Sequence, residues 1–225
     1  MKTISILLLL FCGLNNSFSQ DQQKNLQKVE GWYFRAISGY PASVTFEPIV
    51  LFKDGSYYEI TDEALVDLDF SKSKKEQKNL WGTWKRNSNI FTLTDNNGKS
   101  NEYDLDSGNW FKAFPFESSI NLKGTYEKIS GGDFGNGLYA LFNSQLVFLD
   151  DLHFTHSKNS GTISYGSSAW QSDKKSGKYV IDGNLIEFEY NDGRKVRLSF
   201  AIGAEGDNVM DTDMLFIGGK AYVID

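Results

Sequence analysis

The chain has 225 residues, with 29 acidic against 23 basic side chains for a formal charge of −6, an aromatic share of 15% and one cysteine. An acidic balance with Lys and Arg dispersed among Asp and Glu excludes the clustered positive charge that nucleic acid or an anionic membrane surface requires. A lone cysteine excludes an internal disulfide, so the fold rests on its core, which about 200 residues can supply by burying most of their apolar surface.

Met1-Lys2, the apolar run Ile4 to Cys12 and the polar stretch ending Ser17-Phe18-Ser19-Gln20 read as a secretory signal peptide, residues 1–19, cleaved before Gln20. The run is too short to span a bilayer, and no later one approaches the roughly 20 apolar residues of a transmembrane helix. The expectation is a secreted or periplasmic protein with no transmembrane segment. Losing Lys2 with the leader takes the formal charge from −6 to −7, and losing Cys12 leaves no cysteine. Phe11 stands before Cys12 where a lipoprotein peptidase takes a small residue, which argues against a lipid anchor.

Gln20 to Lys28 is a short polar helix candidate leading into the first strand, and Ser71 to Lys78 is another, its Lys72, Lys74, Lys75 and Lys78 reading as a solvated face. Elsewhere a period of two dominates. Ile186, Phe188 and Tyr190 alternate with Glu187 and Glu189; Val196, Leu198, Phe200 and Ile202 alternate with Lys195, Arg197, Ser199 and Ala201. Asn191-Asp192-Gly193 between the two runs predicts a hairpin turn. Turn signals at Asp54-Gly55, Asn97-Gly98, Asp182-Gly183 and Gly218-Gly219 extend the all-β reading along the chain. Ser130 to Gly137 and Asn159 to Ser168 read as long loops, the places on a β scaffold where binding usually resides.

The chain also repeats. Gly82-Thr83-Trp84 returns at a shift of 95 as Gly177-Lys178-Tyr179, and the same shift lays Asn89-Ile90-Phe91 on Asn184-Leu185-Ile186, Leu93 on Phe188 and Asn97-Gly98-Lys99 on Asp192-Gly193-Arg194. Val29 to Tyr33 resembles Leu122 to Tyr126 at 93, and Leu51 to Asp54 resembles Val147 to Asp150 at 96. Turn residues and apolar strand positions repeat, which specifies a scaffold rather than a chemistry. The predicted units are 20–121 and 122–225, with Phe111 to Phe116 joining them. No Pro-rich or Gly/Ser linker intervenes, so the halves pack together, either as one pseudo-symmetric barrel or sandwich or as two small barrels. Five to seven turn-delimited strands per copy favour two.

Within each copy the order is a Gly-aromatic strand, a strand ending in an Asp turn, a Gly-x-aromatic strand, an Asn-led apolar strand and a Gly turn. Gly31-Trp32, Phe52-Lys53-Asp54-Gly55-Ser56-Tyr57, Gly82-Thr83-Trp84 and Asn89-Ile90-Phe91-Thr92-Leu93, with their second-copy partners, resemble the lipocalin-like domains of secreted Bacteroidota proteins. The second copy departs from the pattern with Asp151 for Gly55 and Tyr179 for Trp84. The resemblance implies a meander-type barrel with an interior able to hold a small apolar ligand, and carries no catalytic residue.

Candidate chemistry is sparse. His153 and His156 are the only histidines, and their odd separation points them to opposite faces of a strand, where they cannot share a metal. The acidic clusters Asp62-Glu63-Asp67-Asp69 and Asp207-Asp211-Asp213 lack the spacing of a calcium loop, so no metal or other cofactor is expected. No Ser stands in a Gly-x-Ser-x-Gly elbow. Among the tryptophans, Trp84 shares a repeat position with Tyr179 and reads as core; Trp110 and Trp170 fall outside the repeat and are the first candidates for contacting a ligand, with Trp81 third. The expected function is non-enzymatic binding of a small apolar molecule or glycan. Alternatives are an extracellular polysaccharide hydrolase using loop carboxylates, for which a pair about 5–10 Å apart is required, and a structural or interaction module.

Overall fold

The computed structural model describes residues 25–39, 43–106, 108–122, 124–133, 139–164, 167–206 and 208–224. The predicted signal peptide and its cleavage point lie outside these residues. The fold is all-β, in two packed units. The first contains β1 (Val29–Gly39), β2 (Ser43–Phe52), β3 (Ser56–Glu59), β4 (Trp81–Asn87), β5 (Ile90–Asp95), β6 (Ser100–Asp104) and β7 (Trp110–Lys112). The second contains β8 (Gly124–Asp133), β9 (Tyr139–Phe148), β10 (His153–Ser164), β11 (Ser167–Asp182), β12 (Leu185–Tyr190), β13 (Lys195–Glu205), β14 (Val209–Ile217) and β15 (Lys220–Ile224).

Both units are antiparallel meanders. In the first, β7 returns to pair with β1, so the barrel is closed except at a seam between β6 and β7. In the second, β15 is inserted between β14 and β8, and the ring closes. The predicted helix over 71–78 is α1 (Phe70–Glu76), followed by a 3-10 turn, Lys78–Leu80. Asp69 caps it by accepting from the Lys72 amide at 3.0 Å, and Lys74 and Lys75 sit in its last turn, where cations favour the helix dipole. Of the helix expected at 20–28, the described part is one turn over 25–27.

The duplication recurs in atomic detail. Asp54 Oδ1 accepts from the Ser56 amide and Asp150 Oδ1 from the Leu152 amide, both 96 residues apart. The amides of Asp95 and Tyr190 donate to the carbonyls of Lys99 and Arg194, while Gly98 and Gly193 adopt φ of 83° and 85°. Ser88 and Gly183 open the two-residue turns before β5 and β12 with the same φ of 56°, a left-handed conformation that Gly adopts freely and Ser against steric cost. Trp84 donates its indole N–H to Phe52 O and Tyr179 its hydroxyl to Asp150 O, so both aromatics tie β4 or β11 back to the preceding turn.

One spacing needs correction. Gly31 pairs with Leu51 and Gly124 with Phe148, so β2 matches β9 at 97 and not at the 96 read from Leu51 to Asp54; only the Asp turn keeps 96. A one-residue slip exchanges the two faces of a strand. Leu51 and Phe148 accordingly occupy the interiors, and Phe52 faces outward. The segments expected as loops at 130–137 and 159–168 are also corrected where described: Ser130 to Asp133 continue β8, Asn159 to Ser164 continue β10, and Ser167 and Ser168 begin β11. Ser, Gly and Asn are weak strand formers, but a neighbour in register supplies the ladder hydrogen bonds that decide the matter.

Alternation places the cores. Tyr33, Ile49, Leu51, Tyr57, Phe91, Leu93 and Trp110 fill the first barrel, and Tyr126, Phe148, Phe154, Phe188, Phe200, Ile202 and Leu215 are among those filling the second. The opposite faces of β1 to β3 are buried as well. Trp32, Phe34, Val50, Phe52 and Tyr58 pack with Ala201, Ala204 and Phe216 from the outside of β13 and β14. The connection after β7 stitches the units further: Phe114 bridges Ile202 and Phe116 bridges Gly183. The segment Phe111 to Phe116 therefore does join the copies, but it is strand-like at both ends and not a free linker.

Candidate functional site

The predicted ligand-contacting tryptophans separate in the structure. Trp110 is fully buried inside the first barrel, stacked on Tyr33 at 5.2 Å and packed on Phe91 and Tyr103, with its indole N–H unpartnered among the described residues. Trp81 lies on the outward face of the same barrel, stacked on Phe52 at 5.6 Å and donating to Ser73 Oγ at 2.9 Å. Trp170 stands opposite Gly161 on β11, with its side chain outside the described residues. Trp81 and Trp110 thus belong to separate clusters on the two sides of the first barrel's sheet.

Above the aromatic floor of the first barrel, Arg35 donates to Glu47 at 2.7 Å and to Glu59 at 2.6 Å from one nitrogen, and reaches Tyr103 OH at 3.4 Å. Burial pushes the Glu59 carboxyl up despite Arg35, and burial with the Glu59 charge raises Tyr57 to about 12. Two carboxylates thus meet, though from strands and not from the acidic loops. The guanidinium occupies the space between them, where a scissile glycosidic bond would have to lie.

In the second barrel His156 points inward and His153 outward. Ser144 Oγ lies 2.8 Å from His156 Nε2, Tyr190 OH 3.3 Å from its Nδ1, and Tyr222 OH 3.5 Å from Ser144 Oγ. Burial, with the charges of Lys158 and Arg194 adding, holds His156 down at about 4, so the ring is neutral. Ser144 sits within a regular strand and not on a sharp turn, and the group reads as a relay of neutral hydrogen bonds above the aromatic core. His153 instead pairs with Asp150 at 2.9 Å on the surface. Among the described residues no cluster of His, Asp and Glu is arranged to hold a metal.

The acidic loop residues act between units. Asp62 pairs with Lys220 of β15, and Asp67 with Arg197 of β13 at 2.8 Å, while the amide of Leu65 donates to the buried Ser199 hydroxyl at 2.9 Å. The connection from β3 to α1 is thereby fastened to the second barrel, beside its outward face.

A cavity lies at that junction. It has a volume of about 540 Å³ and is lined by Leu26, Val29, Trp32 and Val66 from the first unit, Phe114 and Pro115 from the connection, and Leu185 from the β11–β12 turn, with Glu30, Lys112 and Asp182 at its edge. Its position follows from the repeat: the left-handed turn at Gly183-Asn184 brings Leu185 against Ala64 and Val66, and Leu26 closes over them. Trp32 occupies a repeat position, opposite Thr125. That mismatch of an indole against a small polar residue was the available signal.

No protein-family model, curated protein or solved structure matches the chain.

Proposed function

We propose that the chain is an exported, non-enzymatic binding protein that holds one small apolar molecule in the groove between its two barrels. The observation that carries this reading is the apolar cavity of about 540 Å³ at the junction, which falls within the range of pockets that enclose a small ligand. Both barrel interiors are filled by their own rings, so a ligand has more room between them than within them. Leu26, Val29, Val66, Phe114 and Leu185 offer apolar contact without hydrogen-bonding groups in their side chains, and Trp32 adds a broad ring with a single N–H donor, which favours a hydrocarbon-like ligand over a glycan. Glu30, Lys112 and Asp182 at the edge can orient one polar end. The hydrolase alternative draws less support, because Asp62 and Asp67 are engaged in ion pairs and Glu47 and Glu59 are clamped on Arg35.

Trp32 makes the reading measurable. Titration with neutral apolar probes such as retinol, 1-aminoanthracene and dodecanol is expected to shift tryptophan emission saturably, with one probe bound per chain by calorimetry. Filling the groove with the double substitution Val66→Phe and Leu185→Phe is expected to weaken binding at least about 10-fold, about 1.4 kcal/mol. A panel with no saturable response, or equal affinity for the filled groove, would contradict the proposal.

A further inference from the structure

A second cavity, of about 600 Å³, lies on the far side of the turn at 25–28, lined by Gln27, Lys28, Phe52, Lys53, Asp54, Ser56, Phe70, Ser71 and Lys74. Three of its lining residues are lysines and one is a carboxylate, on a chain whose formal charge is −6. Concentrated positive charge at a concave place on an acidic protein calls for an explanation of its own.

The three ammonium groups are held in ways that leave their charge largely uncancelled. Lys28 Nζ sits 5.0 Å over the Phe70 ring, and among the described residues no carboxylate lies within ion-pair distance of it. Lys53 Nζ donates to the neutral Gln27 carbonyl at 3.0 Å. Lys74 Nζ lies 4.8 Å over the Trp81 ring and contacts Ser56 Oγ at 3.3 Å and Asp54 Oδ2 at 3.5 Å. Asp54 is already turned toward its own Asx turn, accepting from the Ser56 amide and hydroxyl at 2.9 and 2.6 Å. These hydrogen bonds and Lys74 hold its carboxyl below the usual range despite partial burial, so it cancels one of three positive charges. Rings position an ammonium through their quadrupole without neutralising it.

We infer that this cavity is a binding site for a small oxyanion carried on a flat apolar body, with a charge near two, as in a phosphate monoester. Lysine binds phosphate as a point charge with freely turning donors, and a phosphomonoester carries about −1.5 to −2 at neutral pH, which matches the surplus of two ammonium groups. Phe52 and Phe70 line the same cavity and give the apolar body a surface. α1 contributes Phe70, Ser71 and Lys74 from one side, the β2–β3 turn contributes Phe52 to Ser56 from the other, and the turn at 25–28 closes the third. The site is separate from the groove between the barrels: the two cavities share no lining residue.

The experiment is a calorimetric and Trp81-fluorescence titration of the mature chain with phenyl phosphate, phenyl sulfate, benzoate and phenol. Phenyl phosphate is expected to bind tightest, benzoate at least about 5-fold more weakly, and phenol not measurably; affinity should fall steeply with added salt. Phenyl sulfate, with a single charge, is expected to fall with benzoate, and binding as tight as that of phenyl phosphate would contradict the match of charge. Lys28→Gln and Lys74→Gln, both exposed and neither lining the groove, are each expected to weaken phenyl phosphate about 10-fold. The Val66→Phe, Leu185→Phe chain is expected to bind it unchanged, which keeps this result independent of the groove. Equal binding of phenol and phenyl phosphate, or unaltered affinity in the Lys28→Gln, Lys74→Gln double variant, would overturn the inference.

Discussion

Phe216→Ala is expected to destabilise the whole protein by about 3–5 kcal/mol, the usual cost of emptying a buried phenylalanine site, and to do so through both barrels at once. Phe216 belongs to β14 of the second unit but faces outward, 2% exposed, with its ring 4.7 Å from Phe34 of β1. Phe34 in turn stacks on Phe111 at 4.9 Å, so one ring joins the second barrel, the first barrel and the connection between them. The side chains around it are fixed by sheets on both sides, which limits collapse into the vacated space and places the cost in the upper range. Four of the five tryptophans, Trp32, Trp81, Trp84 and Trp110, are in the first unit. Denaturation followed by tryptophan emission therefore reports mainly the first barrel, although the substitution is in the second. The expected outcome is a lowered midpoint of the emission transition, coincident with the loss of far-ultraviolet circular dichroism from both sheets. An emission transition unmoved by Phe216→Ala would mean that the barrels fold independently.

Gly177→Ala is expected to cost about 2–4 kcal/mol, and Gly82→Ala a similar amount, because the duplicated scaffold brings backbone onto backbone at both positions. A Cβ on Gly177 would collide with the Glu189 carbonyl oxygen and stand 2.8 Å from Tyr190 Cα. One on Gly82 would collide with the Thr94 carbonyl oxygen, 95 residues before Glu189, and with the Tyr57 ring. A side-chain neighbour can swing away, whereas a strand carbonyl in a ladder cannot move without breaking its register. Gly193→Ala is the control: nothing lies within 4 Å of its Cβ, and only its φ of 85° opposes the change, for about 1 kcal/mol. Thermal or denaturant unfolding of the three variants should rank Gly177 and Gly82 together, well below Gly193. Equal effects for all three would show that close approach is not what the two repeated glycines provide.

Much of this architecture was legible in the residues, and the parts that were not have physical causes. The hairpin from Leu185 to Glu205 was readable because β12 keeps one mainly polar face and β13 begins with one, so alternation survives in the sequence. The copies were readable because turns constrain residue type strongly: Asp54 and Asp150, Gly98 and Gly193, and Asn89 and Asn184 each perform one local task twice. The register of β2 against β9 was obscured because Ile49 to Phe52 is buried on both faces, which erases the alternation that fixes a face. The strand residues at 130–133 and 159–164 read as loops on composition, whereas pairing to a neighbour is set by the sheet. Trp110 and Trp81 stand out as large aromatics, but a sequence does not separate an indole that packs a barrel from one that lines a groove. The groove itself is assembled from four separate segments, 26–33, residue 66, 112–115 and 182–185, whose meeting depends on how the barrels dock.

Native mass spectrometry of the protein, expressed and purified in its own source organism, tests the central claim most directly. The account predicts a population carrying the extra mass of one small apolar molecule, extractable into organic solvent, and absent from the Val66→Phe, Leu185→Phe chain prepared in the same way. A bare chain in both preparations, or an adduct that persists when the groove is filled, would contradict it.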